Sequence, residues 1–236
     1  ESATGALTYA DRYSNANIDG ATSVTVSPDG KHVYVTAANS NAVAWFTRDS
    51  ITGALAYVNR YSNVNINYPN SVTVSPDGNH VYIAAYIADA VAWFARDSAT
   101  GALTYVSRYS NANINGANSV RLSPDGENVY VASTESDAVA WFTRDSVTGA
   151  LTYVDKYSNA NIDGAISVTV SPDGNNVYGI SGVNDAVTWF TRDSVTGALT
   201  YVDRYSNANI DSAYSVTVTP DGKHVYVAAA GSDAVA

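Results

Sequence analysis

The tetrapeptide Thr-Gly-Ala-Leu begins at Thr4, Thr52, Thr100, Thr148 and Thr196, a constant spacing of 48 residues with no insertion or deletion. The 236 residues are therefore five units, 1–48, 49–96, 97–144, 145–192 and 193–236, the last of them four residues short. Of the 44 positions present in all five units, 20 never change, among them Ser14-Asn15, Pro28-Asp29-Gly30, Val33-Tyr34 and Ala42-Val43. Such regularity defines one array, a single domain over 1–236, in which each unit buries its apolar face on its neighbours.

Within a unit the period is two. Ser23-Val24-Thr25-Val26-Ser27 alternates polar and apolar residues, and Ser27-Pro28-Asp29-Gly30 follows, with Pro presetting a type I turn and Gly closing it. The returning strand is His32-Val33-Tyr34-Val35-Thr36. A third, rich in aromatic and β-branched residues, is Ala42-Val43-Ala44-Trp45-Phe46-Thr47, and a turn at Asp49-Ser50-Ile51-Thr52-Gly53 leads to a fourth, Ala54-Leu55-Ala56-Tyr57-Val58. Four short antiparallel strands in a repeat of this length predict an all-β fold, a β-propeller with one four-stranded blade per unit. The first unit opens on a fourth strand, Leu7-Thr8-Tyr9, and the fifth ends in a third strand at Asp233-Ala234-Val235-Ala236. The N-terminal outer strand is therefore expected to complete the last of five blades and cover its edge. The fifth third strand stops before the Trp-Phe-Thr-Arg of the other four, an interruption expected of a fragment or a trimmed chain.

Composition narrows function. Without cysteine the chain has no disulfide scaffold, thiolate metal site or cysteine nucleophile, and a net charge of -10 with only 12 basic residues disfavours nucleic acid. No apolar run is long enough to span a bilayer, so membrane insertion is not expected.

The stretch Ser27-Pro28-Asp29-Gly30-Lys31-His32-Val33-Tyr34-Val35-Thr36, followed by Ser40-Asn41-Ala42-Val43, resembles the YVTN-type β-propeller repeat, and the resemblance covers every unit. Asp193-Ser194-Val195-Thr196-Gly197-Ala198-Leu199-Thr200 resembles the inter-blade turn of lactonase-like propellers, which include bacterial 6-phosphogluconolactonases. Those relatives usually have seven blades, and Ala37 stands here where the repeat has Asn. The resemblance implies the fold; the motifs that carry it are turns and say little of chemistry.

The repeated residues offer no reactive constellation. His32, His80 and His224 share one position in three units, so they cannot converge on a metal or a triad, and surface placement at a strand start is expected. Asp29, Asp77, Asp125, Asp173 and Asp221 occupy the third turn position, where Asp accepts local backbone bonds, and Asp49, Asp97, Asp145 and Asp193 open the next turn. Asn15-Ala16-Asn17-Ile18-Asp19-Gly20 matches half of a calcium loop. It lacks a first-position carboxylate and a bidentate Glu, so its amides are expected to tie off backbone groups instead. Trp45-Phe46 and their repeats read as inter-blade core, as do Tyr9, Tyr13 and Tyr34 with hydroxyls at the edge. No metal or other cofactor is expected.

The units differ most at Gly20-Ala21-Thr22 and Ala38-Asn39-Ser40 and their counterparts, two loops that propeller topology places on one face. Thr22, Asn39, Tyr68, Asn70, Tyr86, Asn118, Glu135, Asn184 and Tyr214 are the candidate binding residues there. The non-repeated charges, Arg121, Glu127, Glu135 and Lys156, have scattered addresses. Near-equal units suit repeated equivalent contacts better than one asymmetric reactive site. The expectation is accordingly a noncatalytic scaffold, in a bacterial surface or secreted setting, that binds a protein or glycan partner or self-associates. The alternatives are a lactonase-like hydrolase of a sugar lactone and a recently amplified structural propeller without ligand.

Overall fold

The computed structural model describes Tyr9 and residues 11–236. Blade 1 is β1 (Ala21–Val26), β2 (His32–Ala37), β3 (Ala42–Arg48) and β4 (Leu55–Ser62); blade 2 is β5 (Pro69–Val74), β6 (His80–Ala85), β7 (Ala90–Arg96) and β8 (Leu103–Ser110). Blade 3 is β9 (Ala117–Leu122), β10 (Asn128–Ser133), β11 (Ala138–Arg144) and β12 (Leu151–Ser158); blade 4 is β13 (Ala165–Val170), β14 (Asn176–Ser181), β15 (Ala186–Arg192) and β16 (Leu199–Ser206). Blade 5 is β17 (Ala213–Val218), β18 (Val225–Ala229) and β19 (Ala234–Val235). Each blade is an antiparallel meander in chain order, and the innermost strands β1, β5, β9, β13 and β17 stand side by side as a five-bladed propeller. Among the described residues no comparable packing joins β17 to β1. The expected closing strand, Leu7-Thr8-Tyr9, lies outside the described residues except for Tyr9.

The predicted turns form as the residues require. In the first, Gly30 N–H donates to the Ser27 carbonyl at 2.8 Å, and Ser27 Oγ accepts from His32 N at 3.0 Å. The Asp49 carboxylate accepts from Thr52 N at 2.7 Å in the second. The Asn-rich segment makes a single turn of 3₁₀-helix in four of the five copies, each capped by an Asn side chain accepting from the residue two ahead, as Asn15 does from Asn17. The amide oxygens are thereby occupied by backbone, as the sequence suggests.

The core lies in the seams between blades. At the three seams between blades 1 and 4 a Phe of one blade meets a Tyr of the preceding blade edge to face, Tyr61–Phe94, Tyr109–Phe142 and Tyr157–Phe190, and Tyr13, before β1, meets Phe46 in the same way, all with ring centroids 4.9–5.1 Å apart. Trp45, Trp93 and Trp141 are buried in the same layer. Tyr9 departs from its expected core role and is exposed. The end blades show what a neighbour supplies: Val24 on β1 is 66% exposed, whereas its counterparts Val72 and Val120 on β5 and β9 are at most 2% exposed.

Below the aromatic layer an arginine ties each of the three seams that join blades 1 to 4. Arg96, at the end of β7, donates from Nη1 to Gly78 O of its own blade at 2.8 Å. It reaches into blade 1 with Nε to Tyr34 Oη at 2.7 Å, and with Nη2 to Asp29 Oδ2 at 2.9 Å and to His32 Nδ1 at 2.9 Å. Arg144 repeats the pattern on Asp77, His80 and Tyr82, and Arg192 on Asp125, Asn128 and Tyr130. Tyr34 Oη in turn donates to Gly101 O at 2.9 Å. A Cβ on Gly101 would overlap the His32 ring, so this glycine serves close approach as well as its φ of +74°.

His32 and His80 are therefore buried, contrary to the surface placement expected for them, while His224 is exposed. A guanidinium facing Nδ1 fixes the imidazole as the neutral tautomer protonated on Nε2. Burial first, and then the charge of Arg144, lower the pKa of His80; burial and Arg96 do the same for His32. A lowered folded pKa means that the unfolded chain takes up protons first, so this stability is lost as pH falls below about 6.5. Replacing both residues by asparagine, as blade 3 does naturally with Asn128, should flatten the fall of Tm between about pH 6.5 and 4.5; thermal unfolding across that range checks it. Burial raises the Asp77 pKa, but bonds from Ser75 Oγ, Asn79 N and Arg144 outweigh it and hold the carboxyl below its ordinary range. Arg144→Gln should cost about 2 kcal/mol in urea unfolding at neutral pH, the low side for a broken buried pair because Asp77 is a third exposed.

Candidate functional site

The two variable loops do share a face. Ala38 N donates to Gly20 O at 2.8 Å and Ser40 Oγ to Ala16 O at 3.1 Å, placing the β2–β3 loop against the segment that enters β1. The SPDG and DSxTG turns lie together at the other end, where the arginine bonds are.

On the variable face the five innermost strands enclose the mouth of a central channel, a cavity of about 330 Å³. Four of the nine candidate residues line it: Thr22, Asn70, Asn118 and Tyr214. They form part of a belt that passes from blade to blade. Thr22 Oγ1 donates to Pro69 O at 2.7 Å, Asn70 donates to the Asn118 amide oxygen, and Asn118 Nδ2 donates to Ile166 O at 3.0 Å. The serines one position on make a second belt, in which Ser71 Oγ accepts from Val120 N and Ser119 Oγ from Val168 N, both at 3.3 Å.

Among the other residues that line this cavity, a charged one breaks the repeat. Arg121 occupies the β9 position where every other unit has Thr. Its Nη1 donates to Val120 O at 2.9 Å and to Ser71 Oγ at 3.3 Å, and it ion-pairs with no carboxylate among the described residues. Protein surrounds the guanidinium yet leaves part of it open to the channel, and burial lowers its pKa. A cation so placed, among hydroxyls and amides without a counter-charge, is suited to an anionic or strongly polar ligand. The sequence marks Arg121 as a non-repeated charge, but only the ring shows that its strand position opens on the axis.

The other candidates sit on the rim. Tyr68 and Tyr86 meet edge to face at 6.2 Å, and the neighbouring Glu135 carboxylate raises the Tyr86 phenol pKa. Asn39 lies against Gly20, and Asn184 is held in its loop by a 2.6 Å bond from Nδ2 to Ala160 O. No group of His, Asp or Glu among the described residues is arranged to hold a metal ion.

The model of the lactonase, 7-bladed β-propeller family matches residues 2–116 and 107–210, and the chain belongs to that family. A 6-phosphogluconolactonase-like protein of Bacteroides fragilis superposes with a TM-score of 0.80 at 21% identity, over 92% of this chain and 65% of that one. One from Bacteroides uniformis gives 0.77 at 20%, over 88% and 63%. The periplasmic gluconolactonase of Pseudomonas aeruginosa gives 0.72 at 19%, over 87% and 64%. The chain thus spans less than two thirds of the length of these proteins. No curated protein matches it in sequence. Membership of this family corrects the expectation of a noncatalytic binding scaffold and favours the lactonase-like alternative. Repetition misled there because the turns and seams repeat for stability, while the channel needs only one departure from the repeat to become asymmetric.

Tyr68 shows strain on this face. It has φ +56°, in the left-handed region where blades 1, 3 and 4 place Gly20, Gly116 and Gly164. Its N–H is held there by a 2.9 Å bond to Asn41 Oδ1. Tyr68→Gly should raise stability by about 1 kcal/mol, read from urea midpoints, because glycine adopts this backbone without a Cβ clash.

Proposed function

We propose that this chain is a lactonase-like hydrolase acting on a sugar lactone at the mouth of the central channel. Membership of the lactonase family supports the reaction class, and Arg121 is the observation that supports the channel mouth as its location. Hydrolysis of a lactone adds water to the ring carbonyl, and charge develops on the carbonyl oxygen before the ring C–O bond breaks. Fixed donors in a partly dehydrated site stabilise that charge without reorganising. Arg121 anchors an anionic substituent of the sugar, and the hydroxyl and amide belts formed by Ser71, Asn70 and Asn118 orient its hydroxyls. The similarity to 6-phosphogluconolactonase-like proteins makes a phosphorylated lactone the first substrate to try, and the gluconolactonase supplies the uncharged comparison.

The test is hydrolysis of 6-phosphogluconolactone and gluconolactone, corrected for spontaneous opening, by the protein and by Arg121→Thr. Turnover above background is expected for the protein. The variant, which restores the residue of the other four units, should keep the fold and lose about tenfold or more in kcat/KM on the phosphorylated lactone, mostly through KM. No turnover of either lactone, or equal turnover by the variant, overturns the reading.

A further inference from the structure

On the variable face blade 2 departs from the other units at two neighbouring loop positions, and both departures are tyrosines. Tyr68 stands where the other units have Gly20, Gly116, Gly164 and Ser212, and Tyr86 where they have Ala38, Thr134, Gly182 and Ala230. Tyr86 N donates to Tyr68 O at 2.9 Å, which joins the two loops, and the rings meet edge to face with centroids 6.2 Å apart. Neither ring is taken into a seam: Tyr68 is 38% exposed and Tyr86 is half-buried. Tyr68 holds its side chain there on a left-handed backbone, φ +56°, that costs a residue with a Cβ free energy. An aromatic ring kept at the surface on strained backbone adds little to the fold, and strain of this kind collects at binding sites.

A carboxylate completes the cluster from the next blade. Glu135, another departure from the repeat, occupies the position of Asn39, Ile87 and Val183. It is exposed and forms no ion pair among the described residues. Tyr86 and Glu135 converge over Gly116, where a Cβ would come within 2.9 Å of Glu135 Cγ and 3.2 Å of Tyr86 Cε2. Tyr68 and Gly116 each lie two residues before a channel asparagine, Asn70 and Asn118, and those asparagines are hydrogen-bonded to each other. The cluster therefore stands at the rim beside the Asn70–Asn118 pair, at most about 7 Å of chain away.

We propose that Tyr68, Tyr86 and Glu135 form a second sugar subsite at the rim, so that the preferred substrate is the lactone of a disaccharide acid, with its lactone ring in the channel and its glycosyl ring on the tyrosines. The reaction is that of the hydrolase reading, on which this assignment rests; what the rim adds is a second ring. A tyrosine presents an apolar face to the C–H face of a pyranose, and a carboxylate accepts hydrogen bonds from sugar hydroxyls. Glu135, without a cation beside it, repels a phosphate, so the glycosyl ring is an uncharged one.

The experiment compares hydrolysis of cellobionolactone and gluconolactone, both uncharged, corrected for spontaneous opening. kcat/KM should be about tenfold or more higher for the disaccharide lactone. The ratio should fall to about one in Tyr68→Gly, a change the backbone favours, and persist in Tyr68→Phe, which keeps the ring. Isothermal titration with the open acids, cellobionate and gluconate, reads the subsite without turnover: cellobionate should bind about tenfold or more tighter, and Tyr68→Gly should remove the difference. Hydrolysis of gluconolactone with no preference for the disaccharide in either measurement overturns the subsite and leaves the hydrolase reading standing. Preferential binding of cellobionate by a protein that opens neither lactone overturns the hydrolase reading and supports the subsite. A preference that survives Tyr68→Gly gives the second ring to other residues and overturns the proposal.

Discussion

The arginine that ends the third strand of blades 2, 3 and 4 is the contact on which the rest of the structure depends. One guanidinium bonds a carbonyl of its own blade and three side chains of the preceding one. A planar fork with fixed donor directions tolerates only one relative placement of two blades, which a lysine would not enforce. Its net contribution to stability is modest, because desolvating the charge offsets most of the attraction. The Phe, Tyr and Trp layer above it buries far more apolar surface and supplies the larger share of the free energy. The division of labour is that the aromatic layer holds blades together, while the arginine sets the angle and register at which they meet. The channel diameter, and hence the position of Arg121 relative to the serine and asparagine belts, follows from that angle.

Strands and turns were legible in the sequence because their causes are local. Ser27-Pro28-Asp29-Gly30 folds within four residues, and Val24-Thr25-Val26 alternates whatever its neighbours do. The seam was only half legible. The aromatic pair Trp45-Phe46 announces core by type alone. The partners of Arg96, in contrast, lie 62 to 67 residues back in another unit, and nothing near Asp29 or His32 signals a guanidinium. Read locally, a histidine after a turn belongs at the surface. What buries His32 is the next blade, and His224, with no blade against it among the described residues, shows the exposed state of the same position.

The channel site was legible by contrast between units, and only in part. Thr22, Asn70, Asn118 and Tyr214 vary at a shared address and do meet at the mouth. Asn39 and Asn184 vary at a second address: Asn39 lies exposed against Gly20, and the Asn184 side chain is spent on its own loop. Arg121 was visible as an exception, yet strand alternation alone does not say whether a residue of an innermost strand faces the axis or a neighbouring blade. Closing the strands round a common axis resolves that ambiguity.

Symmetry explains why the proposed site falls where the repeat fails. In a perfect array every group at the channel mouth would recur in each blade, and five guanidinium groups about one axis would repel one another at close range in a low-dielectric site. A single arginine among threonines avoids that repulsion and breaks the equivalence of the blades, so that the proposed substrate would have one orientation rather than five. The inter-blade bonds show that the scaffold tolerates the exception: Ser71 accepts from both Val120 N and Arg121 Nη1, so the same hydroxyl that joins blades 2 and 3 also positions the cation. The residue that departs from the repeat is thereby held by one that repeats in every unit, and a site can arise on such a ring by one substitution without disturbing the seams that define it.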